Sequence, residues 1–146
     1  MSAQKKDRII INFIPIVFAM ITTVTTLFIR INDNVMENWD SILNSLLGIW
    51  GTLFGFMIAA VSVLLTFNDG KFITFLKSSG HYKTILLTYM YCCIHLFVAL
   101  VVAKLFVLYQ ASGKLAYAIT AGLSLDIIII VGICLIFLYV VVKKVE

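Results

Sequence analysis

Four apolar runs, at about 9–29, 41–67, 85–109 and 115–142, are separated by short polar stretches. Each reaches the roughly 20 residues that a helix needs to cross a hydrocarbon core of about 30 Å. Backbone polar groups in lipid must be satisfied within their own segment, and no ten-residue alternating pattern points to a barrel, so the runs predict helices. The expected fold is an all-α integral membrane protein of four transmembrane helices with short loops, a single domain over residues 1–146. Composition agrees: 62% of residues are hydrophobic and 12% charged, with a mean hydropathy of +1.10, whereas water-soluble domains are nearer half apolar and a quarter charged. A water-soluble fold is excluded. The basic start Lys5-Lys6-Asp7-Arg8 resembles a signal-peptide flank, but the run behind it continues to about 20 residues without an Ala-x-Ala cleavage site. The first span is expected to be retained.

The formal charge of +4 reads as topology. Lys5, Lys6, Arg8, Lys71, Lys77, Lys83, Lys143 and Lys144 fall on one side of the expected membrane. Arg30, Lys104 and Lys114 fall towards the other, where the first loop is acidic through Asp33, Glu37 and Asp40. The positive-inside rule then places both termini in the cytoplasm. Trp39, Tyr109 and Tyr117 are expected at the outer interface, and Tyr82 and Tyr139 at the inner one. No basic run could track phosphates, so direct nucleic-acid binding is not expected. Cys92, Cys93 and Cys134 lie inside apolar runs without Cys-x-x-Cys spacing and read as free thiols.

Little chain remains outside the lipid. The loop from Arg30 to Asp40 is short, and Gln110 to Lys114 reads as a tight hairpin with Gly113 as turn former. The longest polar stretch, Asn68 to Lys83, places Phe72, Phe75 and Leu76 on one face of a short helix flanked by Lys71 and Lys77, with Gly80 to stop it. That helix could lie in the headgroup plane as a linker or dock a cytoplasmic partner.

The most ordered pattern lies in span two. Ser41, Ser45, Gly48, Thr52, Gly55, Ala59, Ser62 and Thr66 follow at alternating steps of four and three, a heptad seam made only of small residues, with Gly51 and Gly55 adding a Gly-x-x-x-Gly element. Such a seam either packs against another span of the same chain or joins copies of span two around a symmetry axis. In the second case the hydroxyls of Ser45, Thr52, Ser62 and Thr66 could line a narrow aqueous path.

Three ionisable residues fall at membrane depth, where they must pair, face the bundle interior or line water: His95 and Lys104 in span three, and Asp126 in span four. Counted from the hairpin at 1.5 Å per residue, His95 and Asp126 differ in depth by about 5 Å, whereas Lys104 lies about 9 Å above Asp126. A His95–Asp126 hydrogen bond is therefore expected, with Lys104 snorkelling outward. The pair is either a structural link fixing helix register or part of a protonation-sensitive element or ion path. In span one, Pro15 is expected to bend the helix, and Thr22, Thr23, Thr25 and Thr26 to bond back to their own backbone.

Enzyme signatures are missing: no His-Glu-x-x-His, no Gly-x-Ser-x-Gly, no phosphate loop and no carboxylate cluster at metal-ligand spacing. Neither a cofactor nor a metal site is expected. The vicinal Cys92-Cys93 pair lacks the Cys-x-x-Cys of membrane thiol oxidoreductases, and no acid falls within span one as it does in small four-helix multidrug exporters.

The run Gly55-Phe56-Met57-Ile58-Ala59-Ala60, continuing through Leu65-Thr66-Phe67-Asn68-Asp69 to Phe75-Leu76-Lys77-Ser78-Ser79-Gly80-His81-Tyr82, resembles small bacterial membrane proteins encoded in antiphage defence loci. The nearest type is the membrane subunit of the Kiwa system, KwaA. The resemblance implies a four-span homo-oligomer, a tetramer, that recruits a cytoplasmic protein to the bacterial inner membrane. The residues alone lead partway there, since so little chain lies outside the bilayer that its action should be self-assembly, partner binding or permeation. The expected function is a non-enzymatic, oligomeric inner-membrane sensor or anchor of a multi-component system. The alternatives are a homo-oligomeric ion channel or pore-forming effector, and a phage holin-like or exclusion protein.

Overall fold

The computed structural model describes residues 3–29, 37–66, 82–111 and 113–143. These form four helices: α1 (Ala3–Phe28), α2 (Trp39–Thr66), α3 (Tyr82–Leu108) and α4 (Lys114–Lys143). Three carry stretches long and apolar enough to cross a membrane, Trp39–Thr66, Tyr82–Leu108 and Lys114–Tyr139, whereas the apolar part of α1 is the shorter Phe13–Phe28. α1 is helical through Pro15, which is buried. Large apolar side chains cover the outside, among them Met20 at 64% and Ile128 at 67% exposure, a surface made for lipid. The segment carrying Lys71, Phe72, Phe75, Leu76 and Lys77, where the docking helix is expected, lies outside the described residues.

The helices form an open row. α1 packs on α4, α4 on α3 and α3 on α2, with α1 touching α3 only lightly. α2 and α1 thus stand at opposite ends. At membrane depth this packing draws on van der Waals contact and interhelical hydrogen bonds, because lipid tails are as apolar as the core. On α2 the buried residues are Trp39, Leu43, Trp50, Met57 and Val61, with Leu46, Leu53 and Leu64 half-buried against them. These follow one another at steps of three and four, a second heptad seam two residues out of phase with the small one. Two residues are about 200° around a helix, so the two seams lie on nearly opposite faces. The large seam meets α3, where Ile85, Tyr89, Cys92, Leu96, Ala99 and Ala103 are buried.

Polar ties fix the row along its length. Trp39 Nε1 donates to the Ala111 carbonyl at 3.1 Å, and its ring lies 5.6 Å from that of Tyr117. Tyr82 Oη donates to the Leu64 carbonyl at 3.1 Å, and Tyr89 Oη to the Cys134 carbonyl at 3.0 Å. The α3–α4 hairpin is made differently from the sequence expectation. The Gln110 amide donates to Val107 and the Ala111 amide to Phe106, with Gln110 in the left-handed region at φ 48°. This is a Schellman ending, and its left-handed residue is Gln110. Gly113, at φ 154°, opens α4 by accepting the Tyr117 amide at 3.0 Å.

Candidate functional site

α3 and α4 bring His95 and Asp126 together. His95 Nδ1 lies 2.5 Å from Asp126 Oδ2, and with the carboxylate as acceptor the ring nitrogen donates. Asp126 is buried at 5% exposure and stands twelve residues into α4, about 18 Å along the axis and near the middle of the Lys114–Tyr139 stretch. Its other oxygen, Oδ1, has no hydrogen-bond partner, the one such buried side-chain nitrogen or oxygen among the described residues. The Thr120 and Ser124 hydroxyls of α4 are satisfied locally, donating to Ala116 and Thr120. Lys104 is exposed and takes part in no ion pair among the described residues. The structure thus separates it from the other two ionisable groups.

His95 and Asp126 form the floor of a cleft of about 540 Å³ between α1 and α3, lined also by Thr23 and Gly122. Met20, Val24, Ile94 and Val98 line it too and are exposed, so the cleft opens sideways towards lipid. Its α1 wall comes close to α4 at Gly122, where an added Cβ would collide with Thr23 Oγ1 and lie 2.8 Å from the Ala19 carbonyl oxygen. Ala19, Thr23 and Gly122 were not singled out as site residues. Two sequence signals could have found them: Ala19-x-x-x-Thr23 on α1 and Ala118-x-x-x-Gly122 on α4, small pairs one turn apart that permit close helix approach. The threonines of α1 bond back to the preceding turn, Thr22 to Phe18, Thr23 to Ala19, Thr25 to Ile21 and Thr26 to Thr22.

The small seam of α2 has a different setting. Ser41, Ser45, Gly48, Thr52, Gly55, Ala59, Ser62 and Thr66 are all exposed, so packing against another span of the same chain is not how the seam is used. A Cβ added at Gly48, Gly51 or Gly55 would meet nothing within 4 Å, so none of the described residues requires glycine there for space. Ser45, Thr52, Ser62 and Thr66 each donate to the carbonyl four residues back, which leaves only lone pairs facing outward. The three cysteines are free, Cys92 and Cys134 buried and Cys93 half-buried. The described residues contain no group of three or more His, Cys, Asp or Glu able to hold a metal.

No protein-family model, curated protein or solved structure matches the chain.

Proposed function

We propose that this chain is a homo-oligomeric inner-membrane protein with four spans, α1 included, and both termini in the cytoplasm. It acts without catalysis as the sensor or anchor of a multi-component system, of the antiphage kind that the Kiwa resemblance implies, and holds a cytoplasmic protein at the membrane. One observation carries the reading. An edge helix exposes a full-length face of small residues, including glycines for which the described residues of its own chain have no steric use. Such faces allow close backbone approach, the commonest basis of helix association in lipid. The short connections between spans support a role in assembly and recruitment. A pore is the second reading, favoured by the hydroxyl lone pairs along the same face.

Site-directed crosslinking in native membranes tests the assembly. Ser62→Cys, on the small seam, should give an oxidation-dependent crosslinked dimer. Ile128→Cys, on the exposed surface of α4, should not. Crosslinking from Ile128→Cys alone would move the interface elsewhere and overturn the reading.

A further inference from the structure

The cleft between α1 and α3 has chemistry of its own, independent of the α2 face. Its walls are apolar, and with His95 neutral and its one hydrogen on Nδ1 its polar groups have no hydrogen to offer. The Thr23 hydroxyl donates to Ala19 at 2.9 Å, His95 Nδ1 is engaged with Asp126 Oδ2, and Asp126 Oδ1 is buried with no donor at all. What remains is a set of lone pairs around a carboxylate near the bilayer middle, an arrangement expensive enough in lipid to call for an occupant. Acyl chains would cover the walls but cannot donate a hydrogen bond. An anion would be repelled by the carboxylate. A metal ion would need several oxygen or nitrogen ligands, more than this cleft provides. The matching occupant has a hydrogen-bearing positive charge and an apolar body. A volume of about 540 Å³ lies within the usual range for small-molecule sites.

We infer that this cleft binds a membrane-partitioning organic ammonium ion, which enters sideways from the lipid, displaces the side chains that cover Asp126 Oδ1, donates N–H to that oxygen and lays its apolar body between α1 and α3. The charge-assisted hydrogen bond is made away from water, where it is strongest. Met20, Val24, Ile94 and Val98 provide the apolar contact.

The test is equilibrium binding of radiolabelled 1-adamantylammonium to the full chain in phosphatidylcholine nanodiscs, with empty nanodiscs subtracted. Saturable binding is expected in the wild type, and at least tenfold weaker binding in Asp126→Asn. The asparagine can still accept from His95 but turns an N–H2 group where the free oxygen was. Ile94→Trp, which fills the mouth from its lipid-facing side without touching the carboxylate, should weaken binding by a similar factor. Adamantane-1-carboxylate should not bind. Absence of saturable binding to the wild type, equal affinity in Asp126→Asn, or equal affinity for the carboxylate analogue would each overturn the proposal. If Asp126→Asn does not fold, Ile94→Trp decides, and undiminished binding there overturns it. Gly55→Leu, on the α2 face, should bind normally whether or not the chain assembles, so failure of this proposal and failure of the assembly reading are told apart.

Discussion

Gly122 and Thr23 meet where α4 crosses α1, at a separation that leaves no room for a Cβ on the glycine. The contact holds α1 on the end of the row and sets one wall of the cleft above Asp126. Gly122→Ala should therefore push α1 away and destabilise the protein in detergent by about 1–3 kcal/mol, the usual cost of overpacking. Adding Thr23→Ala removes one of the two colliding atoms and should recover part of the loss, the Ala19 carbonyl remaining in the way. Thermal unfolding of the two variants and the wild type checks this, and equal stability of Gly122→Ala and wild type would mean that the helices separate without cost.

The hairpin between α3 and α4 makes an opposite pair of expectations. Gln110 carries a left-handed backbone, which costs an L-residue roughly 1–2 kcal/mol, so Gln110→Gly should stabilise by about 0.5–1 kcal/mol after the entropy of glycine is counted. Gly113→Ala forces a side chain into a region at φ 154° and should cost about 1–3 kcal/mol. Melting temperatures in one detergent, compared with wild type, should move in opposite directions.

What was legible in the sequence follows from what repeats. Four helices can be read from run length because lipid imposes it, and the His95–Asp126 bond follows from depth matching across a short hairpin. The order of helices in the row cannot be read in that way. Span two carries two heptad seams, and only packing tells that the one with Trp39, Leu43, Trp50 and Met57 is buried while the more regular small seam faces outward. In water an apolar seam would have declared itself the buried one. In lipid both faces are apolar enough to be either, so hydropathy loses its power to choose. The cleft was missed for a related reason: its walls come from three helices, and the small pairs Ala19-x-x-x-Thr23 and Ala118-x-x-x-Gly122 permit close approach without telling which helices meet there.

Asp126 and His95 should behave as a coupled pair. Removing either partner leaves the other without its hydrogen bond inside the bundle, whereas replacing both with apolar groups removes the unmet need. His95→Phe and Asp126→Leu should each destabilise, and the double variant should be more stable than the two losses added together. The expected coupling is about 0.5–3 kcal/mol, and intramembrane hydrogen bonds averaging about 0.6 kcal/mol place it towards the lower end. Denaturation in mixed micelles measures all four corners of the cycle, and strictly additive losses would mean that the bond contributes nothing to the fold.

The α2 face allows close packing to be separated from a water path, because bulk and polarity can be changed independently along it. Gly55→Leu adds volume to a glycine facing open space and leaves every hydroxyl in place. Thr52→Val with Ser62→Ala removes two hydroxyls and leaves the contour almost unchanged. Those hydroxyls already spend their hydrogens on Gly48 and Ile58 of their own helix, at 2.9 Å each, so an interface held by close approach should lose little when they go. Assembly should therefore weaken at least tenfold in Gly55→Leu, about 1.4 kcal/mol, and stay within threefold of wild type in Thr52→Val/Ser62→Ala, as read by fluorescence energy transfer between labelled copies in liposomes. A pore lined by this face reverses the sensitivity, since the lone pairs are what a passing ion would meet. Ion flux in the same liposomes that falls in the hydroxyl-free variant while assembly is unchanged would establish the pore over the anchor.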